Sequence, residues 1–185
     1  MDLRTPFAFR STISDDSSPV ESETYSDEFL RQTLMRVHRI AMVGASTRWQ
    51  RPSYFVMKYL LARGFEVLPV NPRSAGENLL GQTVYARLED VPAPVDMVDI
   101  FRDSAAAGTV VDDAIRLKDE KSIRVIWMQL TVVNPSAAER ARAAGLDVVM
   151  DRCPKIEWSR LAGELSWNGL NSRIVDSRRR KLFTR

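Results

Sequence analysis

The stretch IAMVGASTRWQRPS, residues 40–53, decides the fold. Its first four residues form an apolar run, which is typical of a strand buried on both faces of a parallel sheet. Gly44 then opens a loop of small residues, and Pro52 suits the first position of a helix, where no backbone N–H is needed. A strand, a loop and a helix in this order predict the beginning of a βαβ unit.

The same alternation continues to residue 150. Helices are predicted to begin at Ser26, Pro52, Ser104 and Pro135. Further strands are predicted at residues 66–70, 95–101, 123–129 and 147–150, with one short strand at 83–85 in a loop region that spans 73–94. Strands that alternate with helices pair in parallel through right-handed crossovers. We therefore expect an α/β fold, a single doubly wound Rossmann-like parallel sheet of about five strands with helices on both faces.

Composition divides the chain into three parts. Residues 1–25 are rich in Ser, Asp, Glu and Thr and are predicted to be a flexible tail. Residues 26–160 form the predicted domain, and residues 161–185 form an extension with a basic tail. The net charge of +3 hides an asymmetry, because residues 1–28 hold seven acids and two arginines, whereas residues 173–185 hold six bases and one acid. No aromatic residues interleave with the basic cluster at 178–181, so we expect no nucleic-acid partner.

The totals also favour one cellular setting. Hydrophobic residues make up 44% of the chain, but no apolar run approaches the ~20 residues that span a bilayer, so no membrane association is expected. The first 22 residues show no apolar core followed by a cleavage site, so we expect no secretory signal. The chain has a single cysteine and therefore no internal disulfide. These features predict a cytoplasmic protein.

Small, polar or turn-forming residues follow every predicted strand. Since the carboxyl ends of parallel strands lie at one edge of the sheet, and ligands bind there near the point where the strand order reverses, these residues predict one shared site. They are Gly44, Ala45, Ser46 and Thr47, then Asn71, Pro72 and Arg73, then Phe101 and Arg102, then Met128 and Gln129, and finally Asp151, Arg152, Cys153 and Pro154.

The residue types at these strand ends suit a ligand that carries phosphates. Gly44 either lets the backbone approach a phosphate or serves only the tight turn. Ser46 and Ser53 either cap the helix or donate hydroxyls to a phosphate at its positive end. Phe101 belongs to the core or covers an adenine ring. Arginines match several phosphates, and four of them lie in these loops: Arg48, Arg51, Arg73 and Arg102.

Two common nucleotide signatures are absent from the sequence. The loop at 44–49 reads GASTRW and lacks the second and third glycines of the G-x-G-x-x-G motif. The second strand ends at Asn71 without the acid that binds the ribose of NAD, and no G-K-[ST] phosphate loop is present. The pattern therefore predicts a nucleotide-like ligand in a loop unlike those that hold NAD or ATP.

Five segments, in order, cover nearly all of residues 40–157. They are VGAS (43–46), RPSYFVMKYLLARGFEVLPVNP (51–72), GENLLGQTVYARLEDVPAPVDMVDIFR (76–102), IWMQL (126–130) and AGLDVVMDRCPKIE (144–157). With these segments the chain resembles the small single-domain CoA-binding proteins, whose fold is similar to the N-terminal CoA-binding domain of the succinyl-CoA synthetase α subunit. For many members of that family no reaction is known.

The resemblance implies that coenzyme A (CoA) or an acyl-CoA lies across the strand ends. It assigns a phosphate contact to Gly44, Ala45 and Ser46, with Arg51, Pro52 and Ser53 opening the helix beside it. It places Asn71 and Pro72 along the adenosine part, Phe101 and Arg102 at the flank, and Met128 and Gln129 at the far side. The chain departs from the family pattern at Thr131, where a glycine is expected, and in the segment 117–124, which lacks the usual glycine before the strand.

The sequence offers few groups for catalysis. His38 is the only histidine and precedes the sheet. Asp96 and Asp99 are interpreted as a buried polar pair or as markers of strand register. Cys153 is either a small buried thiol or a reactive one whose pKa Arg152 lowers, and a reactive thiol would exchange disulfides with CoA. No His, Cys or Asp residues have metal-ligand spacing, so no metal is expected.

We therefore expect a binding or sensing protein rather than an enzyme, with a small-molecule CoA ligand. Two alternatives stay open at this point. One is an NAD(P)-dependent Rossmann oxidoreductase. The other is a regulatory subunit or interaction module that works with a protein partner or as a homodimer.

Overall fold

The computed structural model describes residues 23–162, and a parallel sheet is its centre. Five strands form this sheet in the order β2-β1-β5-β6-β7. They are β1 (Arg39–Val43), β2 (Glu66–Val70), β5 (Met97–Ile100), β6 (Val125–Met128) and β7 (Asp147–Val149). Two short strands, β3 (Asn78–Leu79) and β4 (Gln82–Thr83), form a separate antiparallel hairpin. The predicted fold class is confirmed.

Helices cover both faces of the sheet. They are α1 (Asp27–Met35), α2 (Pro52–Ala62), α3 (Ser104–Lys121), α4 (Pro135–Ala143) and α5 (Pro154–Leu161). One core cluster joins one face of the sheet to α3 and α4. The other face packs against α1, α2 and α5, where the rings of Phe65 and Trp158 meet edge to face at 4.9 Å. Because both faces are covered, the central strands β1, β5 and β6 are almost wholly apolar, as a parallel sheet requires.

The order of the strands fixes where a crevice opens. The chain runs from β1 to β2 on one side, and then crosses back to place β5 on the other side of β1. Ala41 of β1 accordingly pairs with Leu68 and with Val98. In open α/β sheets a ligand crevice forms outside the carboxyl ends of the strands at such a reversal. Here the reversal lies between β1 and β5.

Several local expectations needed correction. Asp103, rather than Ser104, caps α3, because its carboxylate accepts a hydrogen bond from the amide of Ala106 at 2.8 Å. The short strand expected at 83–85 is the β3–β4 hairpin followed by a single bridge between Val70 and Tyr85. Helix α5 was not predicted as a helix.

The two departures from the family's glycines both fall on left-handed backbone. Thr131 has φ of 67° and Ser122, the C-cap of α3, has φ of 61°. A glycine adopts this region without strain, which gives a backbone reason for expecting one at these turns. This chain keeps the same turns with residues that bear a Cβ.

Residues 23–25, which composition placed in the tail, contact the domain. The hydroxyl of Tyr25 accepts a hydrogen bond from the amide of Met150 at 2.9 Å and donates to the carboxylate of Glu23. Glu23 in turn forms an ion pair with Arg142. The rest of the predicted tail, residues 1–22, and the part of the extension from residue 163 onward, with its basic cluster, lie outside the described residues.

Candidate functional site

Gly44 ends β1 at the point where the strand order reverses. Its φ is 90°, and its amide donates to the carbonyl of Val70 at 2.9 Å. A Cβ at this position would lie 2.3 Å from the carbonyl oxygen of Phe101 and 3.0 Å from Cδ of Arg102. The close approach of β1 to β5 therefore requires the glycine by itself, whatever else binds there.

Side chains from three segments hold the loop after Gly44 in place. The Ser53 hydroxyl accepts a hydrogen bond from the amide of Ser46 at 3.1 Å, and the Ser46 hydroxyl accepts one from the amide of Arg48 at 3.3 Å. Asn71 donates from Nδ2 to the carbonyl of Ala45 at 2.7 Å. These bonds fix the loop between the ends of β1 and β2 and the first turn of α2.

Four arginines lie around this loop without a salt bridge to a carboxylate of residues 23–162. Arg51 caps α2 with no side-chain hydrogen bond, and Arg102 runs beside Gly44. All four residues are exposed, and none forms a salt bridge with a carboxylate between residues 23 and 162: Arg48, Arg51, Arg73 and Arg102. Positive charge is thus concentrated at the carboxyl edge of β1, β2 and β5, where Asp103 beside Arg102 interacts electrostatically with one of the four arginines.

A cleft of about 320 Å³ opens beside this loop, on the face covered by α3. Its residues are Val43, Val70, Pro72, Ala86, Arg87, Leu88, Glu89, Val110, Asp113 and Arg116. The walls are mainly apolar, whereas the charges pair with one another: Arg116 lies 3.0 Å from Asp113, and Arg87 lies 2.8 Å from Glu89. An apolar cleft with a neutralised rim suits a flat, uncharged ring.

Asp99 and Gln129 form a second polar group, at the ends of β5 and β6. Gln129 Nε2 donates to Asp99 Oδ1 at 2.8 Å. Asp99 is 0% exposed, and its Oδ2 is buried with no hydrogen-bond partner among residues 23–162. Burial raises the pKa of Asp99 to about 7, although the hydrogen bond from Gln129 acts in the opposite direction.

Cys153 is a buried thiol, which favours the first of its two interpretations over the reactive thiol. It is 5% exposed at the N-terminus of α5, and burial raises its pKa. The amide of Ile156 lowers that pKa and the charge of Asp99 raises it further. Arg152, which was expected to lower the pKa, points elsewhere: it donates to the carbonyl of Asp151 at 2.8 Å and lies over the ring of Tyr25. Thiolate character is therefore suppressed.

The remaining predicted residues are divided between the edge and the core. Pro72 lines the cleft, Arg73 is exposed beside it, and Pro52 is exposed at the first turn of α2. Phe101 is half-buried against the core on the α2 side. Met128 is fully buried in the core on the α3 side, so its side chain does not line the edge. The predicted residues therefore form two groups, one around Gly44 and one around Gln129.

Other titratable groups lie at the opposite, amino edge of the sheet. Asp96 accepts hydrogen bonds from the amides of His38 and Arg39 at 2.8 and 2.9 Å and pairs with Arg124 at 2.5 Å. Burial alone would raise the pKa of Asp96, but these bonds hold it below its usual value. Asp96 and Asp99 are thus not a pair. Among residues 23–162 no group of three His, Cys, Asp or Glu side chains is placed to hold a metal, and no helix there is long and apolar enough to cross a membrane.

Sequence reasoning missed Asp99 as a site residue and missed most of the cleft. The sequence could have indicated the cleft residues of α3. Val110, Asp113 and Arg116 are spaced three residues apart and so share one helical face. Asp99 gave a weaker signal, a single acid within an apolar strand. Its pairing with Gln129, 30 residues away, depends on the register of β5 and β6.

The geometry defines a class of protein before any comparison is made. A doubly wound parallel sheet, with a cleft and exposed arginines where its strand order reverses, is the arrangement of a nucleotide-binding domain. Comparison with known proteins narrows this class. The CoA binding domain family matches residues 38–159, so the chain belongs to that family.

Individual relatives agree with this assignment. The chain is 33% identical over 127 residues to the uncharacterized protein YneT of Bacillus subtilis, covering 69% of this chain and 90% of that protein. A hypothetical protein from Pyrococcus horikoshii has a similar structure, with TM-score 0.69, 38% identity, and coverage of 75% of this chain and 94% of that one. The cell-free ID.343 protein of Thermus thermophilus matches with TM-score 0.69 and 36% identity over 74% of this chain and 99% of that one.

Proposed function

We propose that this protein binds CoA or an acyl-CoA across the carboxyl edge of its sheet and that it does so as a non-catalytic binding or sensing protein. The observation that carries the proposal is the set of four exposed arginines without a salt bridge among residues 23–162, which lie around the Gly44 loop at the reversal of the strand order. Membership in the CoA binding domain family supports the identity of the ligand.

The charges of CoA suit this edge. The ligand carries a pyrophosphate and a 3′-phosphate, and arginine binds phosphate oxygens through paired N–H donors. Arg102 lies beside Gly44 and Arg51 is the N-cap of α2, so the two arginines border the same loop. We assign the pyrophosphate to this loop and the adenine to the cleft beside Pro72.

A non-catalytic role is supported by where the reactive groups lie. His38 and Asp96 are at the amino edge, away from the proposed ligand. Cys153 is buried with a raised pKa, which opposes a role as nucleophile. Cys153 remains a proposed neighbour of the ligand's thiol end. The single cysteine of the chain also supports a cytoplasmic setting for such a protein.

The two alternatives, an NAD(P)-dependent enzyme and an interaction module, would need different residues at the carboxyl edge of the sheet. An NAD(P)-dependent enzyme needs an acid at the end of β2, but Asn71 stands there and bonds the loop instead. An interaction module needs an exposed apolar surface, and Trp49 and Phe55 supply one beside the loop with 64% and 47% of their surface exposed. Light scattering of the full chain with and without CoA tests for self-association through that surface.

Isothermal titration of the full chain tests the proposal. Wild-type protein is titrated with CoA, 3′-dephospho-CoA, NAD and ATP. CoA is expected to bind with one site per chain, and NAD is expected to give no heat. Arg102→Gln is expected to weaken the binding of CoA about tenfold, since one charge-assisted contact is lost.

The matched control is Arg31→Gln, on the exposed side of α1, whose ion pair with Glu28 is a surface contact. It is expected to leave CoA affinity unchanged. Binding of NAD without binding of CoA would overturn the proposal, and so would equal losses in the two arginine variants.

A further inference from the structure

In the side-chain amide of Gln129, the nitrogen forms a hydrogen bond and the oxygen has no partner among residues 23–162. Its Nε2 donates to Asp99 Oδ1 at 2.8 Å. Its Oε1 accepts no hydrogen bond within residues 23–162, although the residue is only 5% exposed. Because this oxygen has no partner among the described residues, it is available to accept a hydrogen bond from a ligand at this edge of the sheet.

Asp99 determines which side of that amide is free. Above its pKa of about 7 the Asp99 carboxylate is ionised, so it accepts hydrogen bonds, donates none and selects the NH₂ group of the glutamine. The carbonyl oxygen must then point away from Asp99. Because Asp99 is 0% exposed and its strand is central in the sheet, the carboxylate itself has little room to move.

We propose that Asp99 is a positioning residue that orients the Gln129 amide so that Oε1 accepts a hydrogen bond from an amide N–H in the pantetheine arm of the ligand. This inference rests on the CoA-binding function proposed above. Asp99 does not touch the ligand in this arrangement and acts only through Gln129.

The position of Gln129 in the sheet favours the pantetheine arm over the nucleotide end. The arginines and the cleft lie at the ends of β1, β2 and β5, whereas Gln129 follows β6. Adjacent strands are about 4.8 Å apart, so β6 lies roughly 14 Å from β2 across the sheet. Ionised phosphates carry only acceptor oxygens, so they have no donor for Gln129 Oε1. The pantetheine arm carries two amide N–H groups that can donate to it.

Titration with two ligands separates this role from a structural one. The full chain and its Asp99→Asn variant are titrated at pH 8 with CoA and with adenosine 3′,5′-bisphosphate, which lacks the pantetheine arm. The substitution keeps the size of the side chain, but the new amide no longer forces the orientation of the Gln129 amide. The variant is expected to bind CoA about three- to tenfold more weakly, as for the loss of one hydrogen bond, and to bind the bisphosphate like wild type.

A second variant leaves Asp99 in place. Gln129→Leu removes the acceptor and is expected to lose the same three- to tenfold in CoA affinity. The double variant is expected to bind no more weakly than Gln129→Leu alone, because Asp99 acts only through Gln129. Gln129→Leu by itself tests the acceptor without any change at Asp99.

The other outcomes overturn the inference in distinguishable ways. Wild-type protein that binds neither ligand would refute the proposed function together with the inference. Wild-type affinity for CoA in Gln129→Leu would refute the inference alone. Equal weakening toward both ligands in Asp99→Asn would assign Asp99 a purely structural role.

Discussion

Gly44 lies where the backbones of β1 and β5 approach each other, and two separate features require a glycine there. Its φ is 90°, and the carbonyl oxygen of Phe101 would be 2.3 Å from a Cβ. Each cause is expected to destabilise any other residue. Only the second cause depends on the packing of the two strands.

Replacing Gly44 separates these causes. Gly44→Ala is expected to lower the free energy of unfolding by about 3 kcal/mol or more, the sum of backbone strain and a forced shift of β5. The control is Gly81→Ala, at a φ of 87° with no atom within 4 Å of the new Cβ. It is expected to cost only about 1 kcal/mol. Urea denaturation measures both, and equal costs would contradict the packing argument.

Thr131 shows the opposite situation, a branched residue on left-handed backbone. Its φ is 67°, and its amide donates to the carboxylate of Asp151 at 2.7 Å. Thr131→Gly keeps that bond and removes the strain, so it is expected to raise the free energy of unfolding by about 1 kcal/mol. Thr131→Ala keeps a Cβ and is expected to gain less. A thermal melt in which the glycine variant is the less stable of the two would contradict this.

Asp99 makes the stability of the protein depend on pH. Its pKa is about 7 in the folded protein and near 3.8 in the unfolded chain, so between these values the folded state holds a proton that the unfolded state has released. Stability therefore falls as the pH rises from about 4 to 7, by at most about 1.4 kcal/mol per pH unit, and is level above that range.

Asp99→Asn removes the titrating group and serves as the control for this prediction. Urea denaturation between pH 4.5 and 7.5 is expected to give a smaller slope of stability against pH in the variant. The variant is also expected to be the more stable protein at pH 8, where wild type carries a buried charge. Parallel pH profiles in the two proteins would show that Asp99 is not the group responsible.

At the scale of elements, the start of α4 is coupled to the start of α3. Asn134 caps α4, since its Oδ1 accepts from the amide of Ala137 at 3.0 Å, while its Nδ2 donates to the carbonyl of Ser104 at 2.8 Å. The Ser104 hydroxyl in turn accepts from the amide of Val133 at 3.0 Å. These bonds fix the loop that carries Thr131 and follows Gln129.

Two variants of Asn134 distinguish the cap from the coupling. Asn134→Ala loses both and is expected to cost about 2 kcal/mol in free energy of unfolding. Asn134→Asp keeps an oxygen for the cap but loses the donor to Ser104, and is expected to cost about half as much. Chemical denaturation followed by circular dichroism measures both, and equal costs would show that the cap contributes nothing beyond the donor.

The elements were largely predictable because their signals are local. The apolar run at 40–43 and the prolines at 52 and 135 marked their strand and helices within a residue or two. The cap of α3 was misassigned because Asp103 and Ser104 are both good capping residues, and only backbone geometry distinguishes them. Helix α5 was missed because it spans only eight residues and begins at Pro154, which was interpreted as a turn former at a strand end.

The site was less predictable, since it depends on contacts far apart in sequence. That the loops meet at one edge followed from parallel pairing, and the described residues bear this out for Gly44, Asn71, Phe101 and Arg102. Which side chains are free at that edge did not follow. Asn71 is used by the loop, Met128 belongs to the core, and Asp99 enters only through its bond to Gln129.

For the whole molecule, the central claim is that CoA lies across the carboxyl edge of the sheet, and mapping of backbone amide shifts by NMR during titration with CoA tests it most directly. The claim predicts that the largest changes fall at residues 44–53, 71–73, 101–102 and 129–131. It predicts little change at the amino edge, around His38, Asp96 and Arg124. Changes concentrated at that amino edge, or no changes at millimolar CoA, would contradict the claim.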